Sequence, residues 1–501
     1  MLLIHKSWIK DELGVLFGNR VVDQITKINR LYDIYDGTGQ SWPVAGDLEY
    51  TPNRTITNLI KKLIKAEARF MVSRAPEIKL VPEQSEDADA AAEIEKWLTG
   101  VLNGTSWQRK LIQAARDCFI GKRVAMKISG GRDTPLRIDF RPAQEFVFDT
   151  IEDDTSSLRK IIFFYQVDTG AEEYDHEKQR IWRQRYELEN GRCYLDEGLF
   201  DGNGRPVNIV YEHHDTGLDS IPCRVIINDG LTGDLEGESD VELLLDNQAT
   251  YNKLNSDDAD ALRFNMFPMR YVRDATAESV KALVIAPGAL ADLASDPSQT
   301  GRTAEMGIIE SDFNYDGRIE NRLNRTKNDM YELLSIPNIS LEQLKGLAQS
   351  GKGIDAIYRD LIARCEEKWA EGWDDALRWM VEMLIKMART YGAAALPEIP
   401  YNITIDHLYP IPDSDEDERL NDMAEVRHQV RSRSSYIQKW QPGGDADGEL
   451  AQIKQEQALL EDAYAGAIRD ELAAAPPKNE QKAVTETEAS EADVTEVIRN
   501  G

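Results

Sequence analysis

The stretch that comes nearest to a chemical pattern is Gly346 to Gly353, GLAQSGKG. It is close to the phosphate-binding loop G-x-x-x-x-G-K-[ST], in which backbone amides and a lysine cradle a nucleotide. Lys352 stands where that lysine would, but Gly353 replaces the hydroxyl residue that would hold magnesium, and the preceding NISLEQLK is a turn of helix, not a strand. The segment reads as a flexible glycine–lysine loop that opens a helix. From Asp312, DFNYDGRIE begins like a calcium loop, with Asp312, Asn314, Asp316, Gly317 and Ile319 in place. The twelfth position, where a bidentate glutamate closes the coordination, is Leu323. Asp316 and Glu320 suit a helix start instead, so this is a weak candidate for a cation. His213 and His214, adjacent on a strand, point to opposite faces. The acids of DSDEDE at 413–418 sit just before a helix, whose N-terminus favours them. No H-E-x-x-H, G-x-S-x-G or G-x-G-x-x-G context occurs. The chain reads as no enzyme, with no catalytic residues and no cofactor assigned.

Composition narrows the partners. Against 59 Lys plus Arg stand 89 Asp plus Glu, a net charge of −30, so any nucleic-acid contact must run through local basic groups. General DNA coating is excluded. Cys118, Cys193, Cys223 and Cys365 lie far apart with no C-x-x-C pair, and neither a disulfide framework nor a zinc ribbon follows. The first residues lack the apolar core of a signal peptide, and the longest apolar runs fall far short of the roughly 18 residues of a membrane span. The chain reads as soluble and intracellularly made.

Periodicity then gives the elements that must position any site. A helix is predicted over 54–73, with Ile56, Leu59, Ile60, Leu63, Ile64 and Met71 on one stripe and Arg54, Lys61, Lys62, Lys65 and Arg69 on the other face. Helices over 88–102 and 107–119 follow. Residues 121–215 change to short β-branched and aromatic runs, with Asn190-Gly191 as a hairpin turn. This reads as an antiparallel sheet region joined to the helices in one α+β domain. A helix over 239–264 carries Asp240, Glu242, Asp246, Asp257, Asp258 and Asp260. Another over 316–334 carries Arg318, Arg322, Arg325 and Lys327. Between them, 266–311 reads as short strands around a small helix. The strongest pattern, 354–390, repeats apolar residues from Ile354 to Met387 and predicts an unbroken helix about 55 Å long, a strut. A short strand in PEIPYNITIDHLYPIP, acidic helices over 415–431 and 448–474, and a disordered tail complete the chain.

The order of these pieces resembles the portal proteins of tailed double-stranded DNA phages. The resemblance rests on NRTITNLIKKLIKAEARFMVSRAPEIKL, RPAQEFVFDTIEDDTSSLRKIIFFYQV, GESDVELLLDNQATYNKLNSDDADALRFN and SIPNIS…SGKGIDAIYRDL, and covers most of residues 50–390 in order. It implies an α+β, mainly helical subunit of a ring, normally of twelve copies, at one capsid vertex. The ring would be a conduit for genome packaging, head–tail joining and DNA ejection. Residues 1–238 would form the wing, 239–265 and 312–335 the stem helices, 266–311 the clip and 336–353 the tunnel loop. The long wing helix would cover 354–399, the crown 400–475, and an acidic tail 476–501. Implied partners are double-stranded DNA, the large terminase subunit, the head–tail adaptor, and the major capsid and scaffolding proteins. No membrane is implied. The place is the virion, and the host cytoplasm during assembly.

On this reading Lys345 and Lys352, the lysines of the tunnel loop, would touch DNA phosphates. Asp246 and Asp257 would pair with Arg318, Arg322 and Arg325 around the stem, within or between subunits. The alternatives are a nucleotide-hydrolysing or metal-dependent nucleic-acid enzyme, or another minor head structural protein.

Overall fold

The computed structural model describes residues 19–43, 50–131, 134–167, 180–201, 204–266, 269–284, 292–298, 301–309, 316–339, 351–410, 415–440 and 448–458. It is a mixed α/β structure, about half helical. The chain divides into two units, Met1–Pro412 and Asp413–Gly501.

The first unit opens with α1 (Asn19–Asp36) and α2 (Leu59–Met71). Leu59, Ile60, Leu63, Ile64, Ala68 and Met71 turn the α2 stripe inward. The helix starts later than the predicted 54–73. Asn58 accepts the Lys61 N–H at 3.0 Å as its cap, and residues 51–58 run in non-helical backbone. Strand β1 (Glu77–Pro82) leads to α3 (Ala88–Gly104) and α4 (Trp107–Gly121).

Next come β2 (Arg123–Ser129), β3 (Arg137–Pro142), β4 (Phe146–Ile151), β5 (Asp154–Val167), β6 (Arg180–Glu189), β7 (Arg192–Asp201), β8 (Pro206–Asp215) and β9 (Cys223–Ile227). They make two antiparallel sheets, ordered β3-β2-β9 and β4-β5-β6-β7-β8. Asn190 and Gly191 turn the β6–β7 hairpin with φ of 51° and 75°, the left-handed pair that a two-residue turn demands.

Helix α5 (Asp240–Met266) leaves this region. Strand β10 (Met269–Arg273), the short α6 (Ala277–Ala282) and β11 (Glu305–Ile309) follow, with β10 and β11 paired antiparallel. Helix α7 (Asp316–Leu333) returns and packs along α5. The long helical run then comprises α8 (Gly351–Lys368), a π turn (Trp369–Trp373) and α9 (Asp374–Tyr391). Spanning about 60 Å, it is continuous, but it is not the unbroken α-helix expected. The Asp374 N–H reaches back five residues to the Trp369 carbonyl, which puts one extra residue into that turn. Trp369 and Trp373 both enter the core, each 1% exposed, beside Cys365, Leu377, Met380 and Leu384. Strand β12 (Tyr401–Asp406) closes the unit by pairing antiparallel with β1. All four cysteines are free and buried.

In the second unit, α10 (Asp415–Arg427) and α11 (Arg433–Trp440) are joined through Asp422. Its carboxylate accepts from Arg431 Nη1 at 2.6 Å and Trp440 Nε1 at 2.9 Å, and Lys439 Nζ lies 2.8 Å away. A further helical stretch occupies 448–458; the rest of the predicted 448–474 helix and the tail lie outside the described residues.

Candidate functional site

The α5–α7 pair carries the charges singled out in the sequence. Asp246 and Asp257 stand eleven residues apart, three helical turns, and so share one side of α5. Arg318, Arg322 and Arg325 make a stripe on α7 at spacings of four and three. All five are exposed, and none makes an ion pair with a described residue, although the two helices pack against each other. Complementary charge is therefore presented outward on two helices.

The other candidates are scattered. Lys345 lies outside the described residues, and Lys352 falls in the first turn of α8. Asp312 and Asn314 also lie outside them, while Asp316 is the first residue of α7. Among the described residues no group of three His, Cys, Asp or Glu is placed to hold a metal ion. His213 stacks on Tyr194 at 4.1 Å and His214 meets Tyr211, so the adjacent imidazoles are used separately. No described helix is long and apolar enough to cross a membrane.

A buried ion cluster sits where α2, α5 and α8 converge. Arg364 Nε is 2.8 Å from Glu67 Oε1, and its Nη2 is 2.6 Å from Asp240 Oδ1. Lys368 Nζ reaches Asn228 Oδ1 at 2.7 Å, Asp240 Oδ2 at 3.1 Å and Asp229 Oδ2 at 3.2 Å, and it lies over the Phe119 ring. Glu67 and Asp240 are completely buried. Three carboxylates thus face two cations. Burial, then the neighbouring Glu67, pushes the Asp240 carboxyl up. Burial works against the Lys368 ammonium too, but Asp240, Glu67 and Asp229 outweigh it and hold the lysine charged. Asp240 opens α5, so this cluster fixes where that helix leaves the body of the unit.

Below it, α5 presents a buried polar row that the sequence reading passed over. Gln248 Oε1 accepts the Leu59 N–H at 2.9 Å, and Asn252 Oδ1 accepts that of Thr57 at 3.0 Å. Ser256 Oγ accepts from Thr55 at 3.0 Å, and Asp260 Oδ2 from Asn53 at 2.9 Å. The residues recur every fourth position on the helix, a rise of about 6.0 Å, and serve every second amide from Asn53 to Leu59, a step of about 6.6 Å where backbone is extended. The near match of the two repeats lets four side chains replace a partner strand. The signal was present in the sequence: Gln, Asn, Ser and Asp at strict four-residue spacing in QATYNKLNSDDAD.

Comparison with known proteins adds one finding. The family described as "Phage portal protein, SPP1 Gp6-like" matches residues 19–460. No curated protein matches the chain.

Proposed function

Because the chain belongs to the phage portal protein family, we propose that it forms a ring-shaped DNA conduit at one capsid vertex, its stem built from α5 and α7. Portal function, a structural role and a place in the phage capsid come with the family, which does not favour the nucleotide-hydrolysing or metal-dependent alternatives. The finer reading has twelve copies in the ring. The large terminase subunit and later the head–tail adaptor would meet the module around β10 and β11. The capsid and scaffolding proteins would meet the wing, and DNA would pass Lys345 and Lys352, the latter in the first turn of α8.

One observation carries the ring. Asp246 and Asp257 on α5, and Arg318, Arg322 and Arg325 on α7, are exposed and unpaired among the described residues, although their helices touch within the chain. Head-to-tail contact that closes on itself brings one copy's α7 to the next copy's α5 and satisfies both stripes. A single exposed pair contributes only about 0–1 kcal/mol, but the contact recurs at every interface of the ring. Native mass spectrometry of the wild type, of Asp257→Arg, of Arg322→Asp and of the double reversal tests this. A cyclic oligomer is expected, weakened by each single reversal and restored by the pair. Monomers and dimers alone at every salt concentration would remove the ring, and a ring indifferent to all three variants would remove the stem pairing.

A further inference from the structure

His407 follows β12 and lies flat on the Trp369 indole, with ring centroids 4.5 Å apart and planes 13° from parallel. Its Nε2 is 2.9 Å from Asp374 Oδ1, and its Nδ1 is 3.3 Å from Glu366 Oε2. Both carboxylates belong to the long helical run. Glu366 stands before the π turn, and Asp374 immediately after it. On a regular α-helix, residues eight apart point about 80° away from each other, whereas residues seven apart differ by about 20°. The π turn inserts one residue, and that brings this pair, eight apart in sequence, to one side. The imidazole therefore bridges two helical segments across the irregular turn, and it can do so only while the turn is kept.

The chemistry of the bridge is asymmetric in protonation. A neutral imidazole donates one hydrogen bond and would set its other nitrogen's lone pair against a carboxylate. The imidazolium donates to both. Tyr409 completes the corner: its hydroxyl donates to Glu366 Oε1 at 2.6 Å while its ring stacks on Phe70 of α2. Around the same strand pair, Lys79 of β1 pairs with Glu77 and Asp406. Among the described residues, the charges facing the ring are the two carboxylates. Burial disfavours the imidazolium, but its hydrogen bonds to Asp374 and Glu366 and their negative charge outweigh it and raise the pKa above its ordinary value.

We propose that His407 is a protonation-dependent clamp on the π turn, fixing the register between α8 and α9 when the ring is charged and releasing it when the ring is neutral. A π turn is a rare element that persists where surrounding contacts over-determine it. Rewinding it to α would turn one segment against the other by about 100° and shift it by about 1.5 Å. Arg364 and Lys368, held in the buried cluster on the same helix, resist that rotation. Release therefore shows first as local opening of residues 369–374. The sign follows from the raised pKa. Stabilisation from the clamp is fully present below the unfolded value of about 6.5 and is lost as pH rises through the folded one.

Hydrogen exchange of the full-length protein across 369–374, corrected for the intrinsic pH dependence, reads this directly. In the wild type the π-turn amides are expected to lose about tenfold protection per unit of raised pKa on going from below to above the transition. His407→Gln, which keeps a single donor nitrogen and does not titrate, is expected to show no step. Asp374→Asn, which keeps the shape and removes one charge, is expected to move the step to lower pH. In parallel, Trp369 fluorescence, isolated by difference against Trp369→Phe, should be quenched by the imidazolium and recover over the same pH range. Equal protection in the wild type and His407→Gln throughout the titration would overturn the clamp, as would a step that persists in His407→Gln.

Discussion

Lys368 is only 3% exposed and shares its space with Glu67, Asp229, Asp240 and Arg364, so its contribution is set by what its removal leaves behind. Lys368→Ala would strand Asp240 and Asp229 beside a single guanidinium, and a buried charge that loses its partner costs about 3–5 kcal/mol. The exposed Lys61–Asp36 pair, 2.9 Å apart, offers the contrast: Lys61→Ala should cost no more than about 1 kcal/mol. Urea titrations of the two variants should separate them by several-fold in lost stability, and equal losses would show that the cluster is no more than a surface-like network. Glu67 explains why this centre was invisible in the sequence. One acid among Lys61, Lys62, Lys65 and Arg69 looks like part of a solvated face, and its inward direction is set by Arg364, nearly three hundred residues later.

Among the elements, the row Gln248, Asn252, Ser256 and Asp260 gives the sharpest expectation. Asn252→Ala would leave the Thr57 N–H and Gln40 Oε1 without their partner in a buried place. Such orphaned groups cost about 1–3 kcal/mol each, so the variant should lose stability and expose the amides of 53–59 to hydrogen exchange, while Leu243→Ala on the exposed side should do neither. Unchanged protection of 53–59 in Asn252→Ala would mean that the row is dispensable. The helices α4, α5, α7 and the β-meander were legible because their apolar spacing and turn residues are local. The start of α2 was not, because Ile56 happens to continue the stripe of Ile60, Leu63 and Ile64, while the groups that bind the non-helical backbone of residues 53–57 come from α5. The π turn left a trace that went unread. Leu361, Cys365, Trp369, Trp373 and Leu377 recur at strict intervals of four, which a 3.6-residue helix could keep in the core only by drifting about 40° at each step. The wider turn absorbs that drift.

For the whole molecule, a net charge of −30 makes the surroundings of DNA repulsive, and under the proposed conduit reading Lys345 and Lys352 would soften that barrier. Duplex DNA carries one charge per roughly 1.7 Å, so a lysine ring about 5 Å tall faces only about three phosphates, and one lysine per copy in a ring of twelve outnumbers them. Lys345→Ala with Lys352→Ala should leave ring assembly intact and lower the length or retention of DNA in a packaging assay. The deficit should shrink as salt rises toward about 1 M, where charges are screened beyond about 3 Å. Unchanged packaging at every salt concentration would deny the two lysines a channel role. A conduit also bears force, and here the attachment of residues 53–59 to α5 has a mechanical meaning. Pulled along the axis of α5, its four rungs lie side by side under shear and must give way together. Lifted from one end, they peel one after another, each resisting alone. The same four contacts therefore make a stiff fastening against axial load and a compliant one against sideways displacement.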